Sequence, residues 1–149
     1  MASVFDVARY ILVRLDEDRK LPITTWKLQK LVYYSQAWSL VWDDATLFEE
    51  PMQAWANGPV CPALYAVHRG KFQISTLPDT VGSADNLSDA QKETINVVLA
   101  HYGPKTAQYL SELTHLEQPW ISARGDLRPG QRGENGISLE SMAEYYGSL

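Results

Sequence analysis

Cysteine is almost missing from this 149-residue chain: Cys61 is the only one. That excludes an intramolecular disulfide and any zinc site built from several thiolates. A reducing cytoplasm is the expected compartment. Long apolar runs are missing as well, and a membrane-spanning helix needs about 20 consecutive apolar residues. The opening residues, Met1-Ala2-Ser3-Val4-Phe5-Asp6, hold neither a basic leader nor an apolar block, so no signal peptide is expected. Basic residues are not in excess: 13 Lys and Arg against 18 Asp and Glu leave a formal charge of −5. Phosphate contacts need clustered Lys and Arg, so direct nucleic-acid binding is not expected. The acidic balance suits solubility and basic partners.

The groups that carry catalysis are also sparse. His68, His101 and His115 are the histidines, and none has a second histidine or a carboxylate at H-E-x-x-H spacing. His115 and Glu117 are two apart and point to different sides of a helix. His115 therefore reads as a histidine that bonds backbone at a helix end. Cys61 lies in Val60-Cys61-Pro62, which matches no nucleophile signature, and reads as a small buried hydrophobe. Gly125, Gly130, Gly133 and Gly136 fit neither G-x-x-x-x-G-K-[ST] nor G-x-G-x-x-G. Glu49-Glu50 beside Pro51 reads as solvated charge. No catalytic residue, cofactor or metal is expected, and the chain is not expected to be an enzyme.

What is present is helical periodicity. Apolar content is 45%, normal for a globular domain, and the length is that of one domain, residues 1–149. Ser3 caps a first helix to about Asp16, with Asp6 in its first turn. Val4, Val7, Ala8, Ile11, Leu12 and Leu15 fall on one arc, and Asp6, Arg9 and Val13 on the other. Thr24 or Thr25 caps a second helix to about Val41. Its apolar residues, from Trp26 and Leu28 to Leu40 and Val41, point nearly all round, which means burial on several sides.

Met52–Ala56 is read as a short strand, Asn57-Gly58-Pro59 as a turn, and Phe72-Gln73-Ile74 as a second strand pairing with the first. A helix starts near Cys61-Pro62 and ends at Gly70. Leu77–Asn86 is read as a polar linker. Ser88 and Gln91 form a capping box. Gly103 is expected to end that helix and Pro104 to begin the next, which runs to about Leu116. Pro119–Gly136 shows no periodicity, and Ser138 opens a last helix. The expected fold is mainly α: five to six helices around a central buried helix, with at most one small two-stranded β element.

Two stretches carry a family resemblance. One is Lys27-Leu28-Gln29-Lys30-Leu31-Val32-Tyr33-Tyr34-Ser35-Gln36-Ala37-Trp38, followed by Ala54-Trp55-Ala56-Asn57-Gly58-Pro59-Val60 and Leu64-Tyr65. The other is Leu113-Thr114-His115-Leu116-Glu117-Gln118-Pro119-Trp120, with Ile137-Ser138 and Tyr145-Tyr146 later. Together they resemble the Panacea antitoxin domain, the family of SocA-like and phage-associated GepA-like antitoxins. The resemblance implies a helical protein from a two-gene module that neutralises a cognate protein toxin by direct binding. An adaptor role, delivering the toxin to a protease and also engaging a chaperone, is the alternative it implies. A site overlooked among the residues above would make it an enzyme instead.

A domain that changes partners keeps its scaffold and varies its surface, so Leu28, Leu31, Trp38, Gly58 and Pro59 are read first as holding the fold. Two toxin-binding surfaces are expected. Arg124, Arg128 and Arg132 stand in the glycine-rich stretch Pro119–Gly136, and arginine pairs with carboxylates and stacks on aromatics at interfaces. The second is the edge of Trp42, Trp55 and Asn57-Gly58-Pro59-Val60. The chain has five tryptophans; each buries about 150–250 Å² in a core, and Trp42 and Trp55 lie at element ends.

Overall fold

The second helix organises everything else. In the computed structural model, which describes residues 2–149, α2 spans Thr25–Trp42 with Thr24 as its cap. Leu28, Leu31, Val32, Tyr33, Tyr34 and Ala37 are fully buried along it. Among the described residues six further α-helices lie around it: α1 (Val4–Glu17), α3 (Pro62–His68), α4 (Asp89–Tyr102), α5 (Ala107–His115), α6 (Gln118–Arg124) and α7 (Leu139–Gly147). The protein is mainly helical, and its buried apolar residues form one continuous cluster.

Polar residues on α2 are buried too, and two glutamines among them hold backbone. Gln36 donates from Nε2 to the Phe48 carbonyl at 2.7 Å and accepts the Leu47 N–H at 2.7 Å. Gln29 accepts the Cys61 N–H at 2.8 Å and donates to the Cys61 carbonyl at 3.3 Å. Each amide supplies both a donor and an acceptor, so two glutamines pin two irregular stretches of backbone that would otherwise be unpaired in the core.

The strands are β1 (Ile23–Thr24), β2 (Met52–Trp55), β3 (Gly58–Val60), β4 (Gln73–Ile74) and β5 (Gly136–Ile137). Their pairing differs from the expectation. β4 pairs with β1, and β2 pairs with β3 on one edge and β5 on the other, all antiparallel. Trp55 opposes Gly58, so Ala56-Asn57 is a two-residue hairpin loop. β3 and β5 occupy both edges of β2 and leave none for β4.

Three other segments depart from the periodicity. Pro104 does not open a helix: Gly103 stays right-handed, and Thr106 caps α5 by accepting the Tyr109 N–H. Pro119–Gly136 is not irregular throughout, because α6 occupies its first part with Pro119 in the first turn; seven residues are too few to display a repeat. The linker 77–86 is docked on α1. Arg9 donates to the carbonyls of Pro78, Val81 and Gly82 at 2.6–3.0 Å. Asp6, buried instead of facing solvent, accepts from the Ser83 N–H at 2.7 Å and the Asn86 amide at 3.2 Å. Burial pushes the Asp6 carboxyl up, but the hydrogen bonds from Ser3, Ser83 and Asn86 outweigh it and hold it below the usual range. Among the described residues no helix is long and apolar enough to cross a membrane.

Candidate functional site

The β2–β3 hairpin carries the aromatic side chain around which a surface cavity forms. Trp55 leaves the end of β2 and meets Tyr65 of α3 edge-on, ring centroids 5.0 Å apart. Trp26, in the first turn of α2, stands 6.5 Å from each of them. The three half-buried rings line a cavity of about 520 Å³. The rest of its wall is Ala56 and Asn57 of the hairpin loop, Arg69 after α3, and Gly130, Arg132, Gly133 and Glu134.

The wall is braced from behind. The Trp55 indole donates to Gln53 Oε1 at 2.8 Å, and the Trp120 indole donates to the Trp55 carbonyl at 2.9 Å. His115 sets Nε2 2.9 Å from the Ala56 carbonyl and Nδ1 against the Ser111 carbonyl, with its ring 4.0 Å from Trp120. His115 thus bonds backbone, and its role is to hold the hairpin loop onto α5. The Ser111 hydroxyl donates to the Asn57 carbonyl and adds a second tie. Gly58 lies in the left-handed region at φ +123°, and a Cβ there would stand 2.6 Å from Lys30 Cε. Glycine at this position lets the hairpin close over the lysine.

The sequence-predicted surface residues separate into four groups. Trp55, Asn57 and Arg132 share the cavity, so one residue of the arginine stretch and two of the hairpin edge come together. Arg128 is exposed on the same loop but does not line the cavity. Arg124 is only 4% exposed: it donates to the carbonyls of Ala54, Arg128 and Gln131 at 3.2, 3.0 and 2.7 Å and lies 5.4 Å over Trp120. It latches the loop to β2 and offers nothing to a partner. Gly58, Pro59 and Val60 are likewise buried in β3 and present no side chain outward. Trp42 lies elsewhere, 48% exposed and stacked on Trp38 at 4.8 Å. It lines a separate shallow groove with Val97, Val98, His101 and Tyr102.

The loop after α6 is held more firmly than its glycines suggest. Besides the Arg124 latch, the Asn135 carbonyl accepts the Ala54 N–H at 2.7 Å and its amide donates to the Ala123 carbonyl at 2.9 Å. Sequence reasoning missed Trp26, Tyr65, Arg69 and Glu134 as cavity residues. Trp26 and Tyr65 carry a core signature at helical spacing, and no local signal marks Arg69 or Glu134.

Two buried polar clusters lie beneath the surface. Glu117 accepts from the hydroxyls of Tyr34 at 2.7 Å and Tyr146 at 2.8 Å, and Tyr33 stands 3.1 Å from Tyr146. Burial raises the Glu117 carboxyl against the pull of these donors. Burial raises the Tyr34 and Tyr146 hydroxyls as well, with the Glu117 charge adding to it. The cluster ties α2 to α7 and to the α5–α6 junction. In the second, His68 Nε2 stands 2.9 Å from Gln29 Nε2, and burial lowers the imidazole. Cys61 is buried and its thiol raised, the opposite of a reactive cysteine. No group of three or more His, Cys, Asp or Glu among the described residues is placed to hold a metal.

No curated protein and no solved structure matches the chain. The family described as "Antitoxin SocA-like, Panacea domain" matches residues 28–121, from α2 into α6. That span holds the hairpin, Tyr65, Arg69 and Glu117, while Trp26 and the 130–134 wall lie outside it. With more than half its length matched, the chain belongs to the SocA-like antitoxin family of Panacea domains.

Proposed function

We propose that the protein is the antitoxin of a two-gene module and neutralises its cognate protein toxin by direct, stoichiometric binding in the cytoplasm, without nucleic acid. The observation that carries this reading is the cavity of Trp26, Trp55 and Tyr65 on the surface of an antitoxin-family protein. Tryptophan and tyrosine are enriched among residues that dominate binding energy, and a concave aromatic site gives a partner side chain a place to insert. The Gln29 and Glu117 clusters support the same reading: their polar groups hold backbone and helices together, and Cys61 is buried with its thiol raised.

The test is co-expression with the product of the neighbouring gene. Binding predicts rescue of growth, co-purification at one-to-one stoichiometry and an unchanged toxin level. If the toxin disappears while growth recovers, the protein acts as an adaptor to a protease instead. Trp55→Ala, with folding checked by melting temperature, should weaken co-purification. Trp42→Ala, on the separate groove, should not.

A further inference from the structure

We infer that the Trp26–Trp55–Tyr65 cavity receives an acidic segment of the partner, with a carboxylate at Arg69 and Arg132 beside an apolar or aromatic side chain laid on the three rings. The inference rests on the reading that the protein acts by binding another protein, and it names the chemistry of the contact.

Charge is the first argument. The chain carries −5 overall, yet the cavity wall holds two guanidinium groups against one carboxylate, Glu134. Arg132 and Glu134 are 3.9 Å apart with side chains 93% and 64% exposed. Such a surface pair is weak and readily exchanged. A guanidinium beside an aromatic wall suits a carboxylate, because its planar fork takes two oxygens and also lies flat on rings.

Lys30 is the second, independent observation. Its ammonium lies 5.4 Å from the Trp26 ring and against Gly58, next to the Asn57 wall. It is 1% exposed and has no hydrogen-bond partner among the described residues. A cation buried without a partner is expensive. An anion seated in the adjoining cavity lowers that expense through the low-dielectric wall. When protonated, the Lys30 ammonium thus stands beside the cavity that faces a partner with no carboxylate or hydrogen-bond acceptor paired to it among the described residues.

The experiment measures binding of the full chain to the purified neighbouring-gene product by calorimetry at about 50 and 300 mM salt. Arg69→Glu with Arg132→Glu should weaken binding at least tenfold with an unchanged melting temperature, and the wild-type affinity should fall with salt. Arg128→Glu, on the same loop outside the cavity, should stay within about twofold. An unaltered affinity in the double variant, or an equal loss with Arg128→Glu, overturns the inference and leaves the antitoxin reading standing.

If the wild-type protein does not bind the neighbouring product at all, that reading fails instead. The cavity is then decided by NMR titration of the full chain with Ac-Glu-Trp-Glu-amide, Ac-Lys-Trp-Lys-amide and ATP. Shifts of the Trp26 and Trp55 indole signals with the acidic peptide alone support the inference. Equal shifts with both peptides, shifts with ATP alone, or no shift with any of the three overturn it.

Discussion

Replacing Lys30 by methionine should make the protein more stable. Lys30 is fully enclosed, with its ammonium unpaired among the described residues, and burial pushes it down from 10.5 to about 7. At 1.36 kcal/mol for each pH unit between those values, the buried lysine costs the fold on the order of 5 kcal/mol at pH 7. The Trp26 ring, 5.4 Å from the ammonium, returns about 2 kcal/mol if the pair is well desolvated. Methionine keeps the unbranched stem and most of the volume, so Lys30→Met should gain about 3 kcal/mol.

The pH dependence gives a second handle on the same group. The folded chain loses the Lys30 proton near 7 and the unfolded chain near 10.5. Between these values the unfolded state binds more protons, so the wild-type protein gains stability as pH rises. The penalty is complete below about pH 7 and gone by about 10.5. The advantage of the variant should therefore be largest at pH 7 and below and should shrink by pH 9.5. Guanidinium unfolding of both proteins at pH 7 and 9.5 measures this, and other titrating groups cancel in the difference. A variant less stable than wild type at pH 7, or an advantage unchanged at pH 9.5, would refute the reasoning. The same variant should bind the partner more weakly despite its stability, which separates a binding role for Lys30 from a structural one.

Two further changes test the buried networks. Glu117→Ala leaves the Tyr34 and Tyr146 hydroxyls without their acceptor and should cost about 2–4 kcal/mol in urea unfolding; Glu117→Gln, which keeps an oxygen there, should cost less. Because burial raises the Glu117 carboxyl in the folded state, stability from this group falls as pH rises from the unfolded value of about 4.5 through the folded one. Glu117→Gln should lack that decline. Arg124→Ala frees three carbonyls and should destabilise by about 2–4 kcal/mol, with faster proteolysis within residues 125–135. Arg132→Ala, whose side chain is 93% exposed, should stay within about 0.5 kcal/mol by thermal melting.

Local rules decided the helices before any tertiary contact. Ser3, Thr24, Ser88 and Ser138 cap helices because a hydroxyl one step before the first turn meets a free N–H. The all-round apolar pattern of residues 26–41 could be satisfied only by burial on several sides, and α2 is the central helix for that reason. Asn57-Gly58 marked a turn through glycine's tolerance of positive φ. Tertiary structure decided the rest. Strands of two to four residues hold too little pattern to specify a partner, so β1–β4 and β2–β5 became visible only when the helices placed their edges together. Arg124 and Arg132 look alike in sequence; one is a latch and the other is exposed because α6 turns the first toward β2. Trp26 and Tyr65 have core spacing, and which apolar side chains stay open depends on what the neighbouring loop leaves uncovered. Periodicity reports that a face is apolar; only packing settles whether another part of the chain covers it.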